Sequence, residues 1–204
     1  MSLGYCITIA RALFLFLEVV MKNTKVTLAP LTAEDREQFI LDNQWAFKYG
    51  AMLEFGERDD HIDGDGEIIS RKTIERCIDD PQNETYRIME GSKKVGGVIL
   101  KIDKATQHNH LEILFVVPDE HTKGIGYGAW QAVEALHPET KIWETCTPYF
   151  EKRNIHFYVN KCGFHIDQFW CAHFQPEHET FEDENRDPDE GPDEMFRFIK
   201  VMKK

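Results

Sequence analysis

The chain has 204 residues, 42% of them hydrophobic and 12% aromatic, which is enough apolar material for one cored domain and excludes a disordered protein. Its formal net charge of −12 argues against broad binding to a phosphate backbone, so nucleic acid is not an expected partner. The five cysteines (Cys6, Cys77, Cys146, Cys162 and Cys171) are scattered without a CxxC pair, which points to reduced thiols in a cytoplasmic protein and away from a disulfide framework or a zinc site.

Residues 1–20 stand apart. Ala12 to Val20 is an apolar run broken only by Glu18, shorter than the roughly 20 residues that span a bilayer. No small-residue cleavage site follows it. Met21 opens an ordinary domain start, so we expect residues 1–20 to be an extension, residues 21–204 to be the domain, and no membrane partner. Val26 to Leu28 reads as a first strand. Thr32 is placed to cap a helix from Ala33 to about Tyr49. Gly56 to Gly66 is an acidic, Gly-rich loop, and Glu67 to Ile78 a second helix. Thr85–Met89 and Val95–Ile102 form a hairpin. His110–Val117 is a β-prone run stopped by Pro118. A helix is expected from Gly124 to Leu136, a strand at Lys141–Cys146, and a helix over Tyr149–Lys161 with Gly163 as its C-cap. Phe164–Phe174 is a strand, about 175–194 an acidic insertion, and Met195–Met202 a closing strand. This order predicts a mixed sheet with an embedded crossover.

The chemistry concentrates after the His110–Val117 strand. Val116-Val117-Pro118 leads into His121-Thr122-Lys123-Gly124-Ile125-Gly126-Tyr127-Gly128, between a predicted strand and a predicted helix. Glycines there permit a sharp turn and close backbone approach. N–H groups at a helix start, together with the helix dipole, suit an anion such as a pyrophosphate. The spacing is neither a dinucleotide-fold fingerprint nor a P-loop.

The run resembles motif A of the GNAT superfamily of acetyl-CoA-dependent N-acetyltransferases, Gln/Arg-x-x-Gly-x-Gly/Ala after a strand ending in Val-x-Pro. His121 stands where the family has Arg or Gln. A second segment, Asn154-Ile155-His156-Phe157-Tyr158-Val159-Asn160-Lys161-Cys162-Gly163-Phe164, resembles motif B. The resemblance covers Val26 to Phe174 and the last strand. It implies an α/β (α+β) GNAT fold, a mixed central sheet with two parallel strands splayed apart and helices on its flanks.

It also implies roles. Acetyl-CoA, a co-substrate, would lie in the gap between the strands. Backbone groups of Val116 and Val117 would pair with its pantetheine and polarise the thioester carbonyl. His121, Thr122, Lys123, Gly124, Ile125, Gly126, Tyr127 and Gly128 would hold the pyrophosphate, and Asn154 the cofactor arm. Glu112 would accept the amine proton, with Glu144 and His110 as substitutes, and alternation puts Glu112 on the face of Leu114 and Val116. Tyr158 would protonate the departing thiolate. The expected partner is a small-molecule amine, and a homodimer is compatible with the resemblance. A non-catalytic acyl-CoA sensor, a transferase for another acyl-CoA and a protein-binding module are the rival readings.

Other features carry less. Asp59 to Gly66 departs from a calcium loop at His61 and Ser70. His108 and His110 form a strand-end pair read as structural, so no metal is expected. Cys146 and Cys162 are read as buried thiols, and Trp143, Trp170 and Phe169 as core or a dimer face.

Overall fold

The structure, a computed structural model, describes residues 26–55, 67–120, 124–174 and 194–203. The expected extension at 1–20, the 56–66 loop, His121, Thr122 and Lys123, and nearly all of the acidic insertion lie outside the described residues.

Seven strands form one sheet in the order β1-β2-β3-β4-β5-β7-β6. They are β1 (Val26–Pro30), β2 (Asn83–Glu90), β3 (Lys93–Lys101), β4 (His108–Val116), β5 (Ile142–Pro148), β6 (His165–Trp170) and β7 (Met195–Val201). Every neighbouring pair is antiparallel except β4 and β5, which are parallel. A parallel pair needs a crossover, and helix α3 (Ile125–Leu136) supplies it. Helices α1 (Arg36–Phe55) and α2 (Arg71–Asp79) precede β2. Helix α4 (Lys152–His156) continues into a π-helix over Phe157–Cys162.

The expected α/β architecture with splayed parallel strands is the observed one, and the element boundaries shift by a few residues. Thr32 does not cap with its side chain; its carbonyl accepts from the Asp35 N–H in a 3-10 turn, Ala33–Asp35, that leads into α1. Helix α2 starts four residues later than expected because the Ser70 hydroxyl accepts from the Thr73 N–H and fixes the first turn there. The helix expected from Tyr149 starts at Lys152, because β5 pairs with β7 as far as Pro148 and Met195. The Phe164–Phe174 strand ends at Trp170, followed by an isolated Cys171–Phe174 bridge.

Each face of the sheet buries its own cluster. On one face, Phe39, Ile40 and Ala46 from α1 and Ile74 and Cys77 from α2 pack on Ile99, Ile113 and Phe115. On the other, Trp130 and Val133 from α3 pack with Leu100, Leu111, Trp143, Tyr158, Phe164 and Phe198. β3 has apolar residues buried on both sides, as a central strand requires. Gly96 and Gly97 let β4 and α1 come close. A Cβ at Gly96 would sit 2.2 Å from the Phe115 carbonyl oxygen, and one at Gly97 would sit 2.3 Å from the Phe39 ring.

A buried ion cluster ties α1 to the sheet. Arg87 on β2, 2% exposed, donates to Asp35 (2.7 and 3.3 Å) and Asp42 (2.7 Å). Its guanidinium also lies over the Phe39 ring at 5.1 Å. Lys94 pairs with Asp35 at 2.8 Å. Removing Arg87 leaves Asp35 with Lys94 alone and Asp42 with the Gln38 amide alone. Arg87→Ala should therefore cost on the order of 3–5 kcal/mol, read as a lowered urea midpoint. Burial alone would raise the pKa of Asp35, but Arg87 and Lys94 outweigh it and hold the carboxyl low. Its contribution is therefore present above the unfolded pKa of about 3.9, and is lost as pH falls through the lower folded value.

Candidate active site

β4 and β5 share only three register pairs, His108–Ile142, Asn109–Trp143 and His110–Glu144, and then diverge. Each keeps its outer partner past that point: β4 pairs with β3 as far as Val116, and β5 with β7 as far as Pro148. The separation opens a cavity lined by His110, Leu111, Glu112, Glu144, Thr145, Cys146 and Trp170. At its apex the Thr145 hydroxyl donates to the Leu111 carbonyl oxygen, 2.9 Å away. That bond satisfies a backbone acceptor where the ladder stops.

Glu112 lies at this apex on a β-bulge. Ile99 pairs with Ile113 and Leu100 with Leu111, so Glu112 is the extra residue of β4. The bulge corrects the expected alternation. Leu114 packs with the α3 side of the sheet, whereas Glu112 lies close enough to the α2 residue Cys77 to raise its pKa. Burial pushes the Glu112 carboxyl above the usual range; Lys101 opposes this, and Asp80 and Glu144 add to it.

Glu144 is in the opposite state. Burial would raise its pKa, but the hydrogen bond from Arg197 (2.5 Å), with His110 and His108 nearby, lowers it. His108 Nε2 also lies 2.8 Å from Glu144 Oε2. Arg197 in turn donates to Asp167 at 2.7 Å. A carboxylate stabilised in this way is a poor proton acceptor. Burial likewise holds His110 below the ordinary imidazole range, against the pull of Glu144.

Tyr158 is 8% exposed and enters from the π-helix, amid the rings of Phe157, Phe164 and Phe198. Its carbonyl accepts from the N–H of Gly163, five residues on, and from that of Phe164. Gly163 takes the left-handed conformation expected of the helix stop, with φ 79°. Burial pushes the phenol well above its ordinary range, with the Thr145 side-chain hydrogen bond acting the other way. Asn154, expected on the cofactor arm, donates to the Thr147 hydroxyl at 3.2 Å and links α4 to the end of β5.

The glycine run divides by role. Gly124 caps α3 with φ 77°, the left-handed region that favours glycine. The first turn of α3, carrying Ile125, Gly126 and Tyr127, presents N–H groups that have no helical acceptor. Gly128 is different. Its N–H donates to the Gly124 carbonyl oxygen (3.0 Å), and an added Cβ would meet Val26 Cγ2 at 3.1 Å. It therefore seats the helix on β1 and has no N–H to offer an anion. The Val117 N–H is likewise engaged, donating to the Val95 carbonyl oxygen at 3.0 Å. Val116 pairs with Gly96.

Thr145, Trp170 and Arg197 are site residues that the sequence did not mark. The first two line the gap, and the third sets the charge of Glu144. Trp143 is fully buried core, and Phe169 is 40% exposed, edge-on to Tyr149 and tilted against Phe196. Burial and the neighbouring Glu112 and Glu144 push the Cys146 thiol up to about 12, and burial does the same for Cys162, so neither is a thiolate nucleophile at neutral pH. No helix among the described residues is long and apolar enough to cross a membrane.

A family model described as the acetyltransferase (GNAT) family matches residues 44–164. The uncharacterized protein YrkN of Bacillus subtilis is 41% identical over 184 residues, covering 88% of this chain and 95% of its own. Among solved structures, spermidine N-acetyltransferase from Vibrio cholerae, in complex with CoA and spermine, aligns with a TM-score of 0.58 at 14% identity, over 88% of this chain and 96% of that one. The PaiA N-acetyltransferase of Thermoplasma acidophilum, in complex with coenzyme A, aligns at 0.57 and 16%, over 87% and 99%. At these identities the structural likeness speaks for the fold alone.

The first two glycines of the α3 entry should separate in a substitution test. Gly124→Ala meets no neighbour within 4 Å, yet its left-handed backbone should cost about 1–2 kcal/mol. Gly126→Ala meets the Phe157 ring at an ordinary 3.4 Å and should be neutral or stabilising, by up to about 1 kcal/mol of helix propensity. Urea unfolding of the two variants measures the difference.

Proposed function

The chain belongs to the GNAT acetyltransferase family, and we propose that it transfers the acetyl group of acetyl-CoA directly to an amine of a small-molecule acceptor. The observation that carries this reading is the β4–β5 gap, lined by a raised-pKa carboxyl, Glu112, and by Thr145, whose side chain also meets the buried Tyr158 phenol from the other face of the sheet. The CoA complexes of the fold neighbours support coenzyme A as the ligand of this fold, and the gap is the opening in this sheet that could take its acyl end. The spermine complex of one of them supports an amine acceptor.

In the proposed reaction the acetyl thioester lies along β4 beyond the bulge, with backbone N–H groups around Val116 facing its carbonyl oxygen. The anionic end of the cofactor meets the α3 N-terminus at Gly124, Ile125, Gly126 and Tyr127, which His121, Thr122 and Lys123 directly precede in the sequence. An ammonium has no lone pair, so the amine must first lose a proton. Glu112 suits that step because its pKa lies nearer neutrality than an ordinary carboxylate's. Glu144 is committed to Arg197 and His108 and serves the site as fixed negative charge. The neutral amine attacks the thioester carbon, the C–N bond forms, and collapse of the tetrahedral intermediate breaks the C–S bond. The thiolate leaves with the electron pair and takes a proton from Tyr158, and the phenolate is restored by the second proton that the amide nitrogen sheds. The Thr145 side chain, which works against the burial that raises the phenol pKa, eases the transfer to the thiolate.

The test is CoA release from acetyl-CoA, followed with a thiol reagent across a panel of polyamines, amino acids and other amines. Amine-dependent release is expected, with kcat reduced about 10²–10⁴-fold in Glu112→Gln and reduced in Tyr158→Phe, while acetyl-CoA binding by calorimetry is retained. The acid limb of kcat should lie above the ordinary glutamate value of about 4.3, because activity falls as Glu112 takes up a proton. That limb should vanish in Glu112→Gln. Tight acetyl-CoA binding with no release for any amine would replace the transfer reading with a sensor.

A further inference from the structure

His108 and His110 are two residues apart on β4, flanking Asn109, whose side chain goes the other way to donate to the Thr140 hydroxyl. The parallel register then sets Glu144 directly opposite His110. Three metal-ligating side chains from two strands therefore converge, with one ligand atom from each lying within 4.8 Å of the others. His108 Nε2 is 2.8 Å from Glu144 Oε2, and His110 Nδ1 is 3.9 Å from Glu144 Oε1. The two imidazole rings lie nearly parallel, 14° apart, with centroids at 5.3 Å.

We infer that His108, His110 and Glu144 form a binding site for a divalent transition ion on the wall of the β4–β5 cavity. Two imidazoles and one carboxylate are a borderline donor set. They suit Zn²⁺, Co²⁺, Ni²⁺ or Cu²⁺ and not the all-oxygen preference of Ca²⁺ or Mg²⁺. Donors around a tetrahedral zinc at about 2.0–2.1 Å lie about 3.3 Å apart. The observed spread therefore closes with side-chain rotations of about 1 Å at each donor, without moving the strands.

The surroundings are prepared for this. Arg197 donates to Glu144 Oε2, which orients the carboxylate and leaves Oε1 turned toward His110. Hydrogen-bonded carboxylate ligands are the rule at metal sites. Asp167 offsets the charge of Arg197 at 2.7 Å, and Glu112 adds a further negative charge nearby. Both histidine side chains keep about a third of their surface exposed (32% each), so an ion can enter from solvent and retain a water as its fourth ligand. The strand-end histidine pair read as structural in the sequence thus acquires its third ligand only through the strand pairing.

This site stands independently of the acyl-transfer reading, and its test is binding. Untagged full-length protein, stripped with a chelator, is titrated with Zn²⁺ by calorimetry and with Co²⁺ by absorption. One tight equivalent is expected, with the visible d–d bands of a tetrahedral Co²⁺ site. His108→Ala and His110→Ala should each weaken Zn²⁺ binding at least tenfold and abolish the bands. The more conservative His108→Gln serves if the alanine variant loses its fold by circular dichroism. Binding undiminished in these variants places the ion elsewhere in the chain and overturns the assignment, as does the lack of any tight equivalent.

Discussion

The site depends on one constraint, that β4 and β5 are neighbours for three residue pairs and then part. Each strand is held by its outer partner, so the divergence leaves both backbones ordered while opening the sheet at its centre. A sheet opened in this way has exposed polar groups at the fork. Thr145 answers with its hydroxyl on the Leu111 carbonyl, and the bulge at Glu112 turns the next side chain out of alternation. The same threonine meets the Tyr158 phenol, so a single side chain touches both walls of the gap and the helix beneath it.

On the lining of one cavity the protein keeps two glutamates in opposite conditions. Glu112 has burial and two like charges against it and a single lysine in its favour. Glu144 is also desolvated, yet an arginine and two histidines stabilise its charge. Carboxyls with separated pKa values can take separate roles in one site. Burial and like charges move the first toward holding its proton, and paired cations move the second toward its anion. The network Asp167–Arg197–Glu144–His108 runs across β6, β7, β5 and β4, so the charge state of the gap is set by residues that do not line it.

Much of this was legible from residue order. The alternation of strands and helices, the Val116-Val117-Pro118 strand end and the glycines before α3 carried the fold and the place of the site. What escaped did so for local physical reasons. Period-two reasoning gave Glu112 the wrong face because a bulge leaves no mark in a run as β-prone as His110–Val117. Gly128 resembled its neighbours in sequence, but its role is helix-to-strand packing against Val26. Thr145 and Trp170 carry no motif, and their function comes from where two strands separate. The third member of the His108–His110 cluster is 34 residues from His110 in the chain, and only the parallel register brings it there.

The π-helix that carries Tyr158 has a consequence for how such a chain can change length. Each added helical residue turns the following side chains by about 100°, and a π turn absorbs one surplus residue without passing that rotation on. The segment from Lys152 to Gly163 therefore brings Tyr158 to Thr145 with a helix one residue longer than a regular one would need. Insertions and deletions here are not interchangeable with those in a surface loop. The loss of one residue between Phe157 and Cys162 would rewind the turn and swing the phenol around the helix axis, leaving composition and motif almost unchanged while taking the hydroxyl away from Thr145.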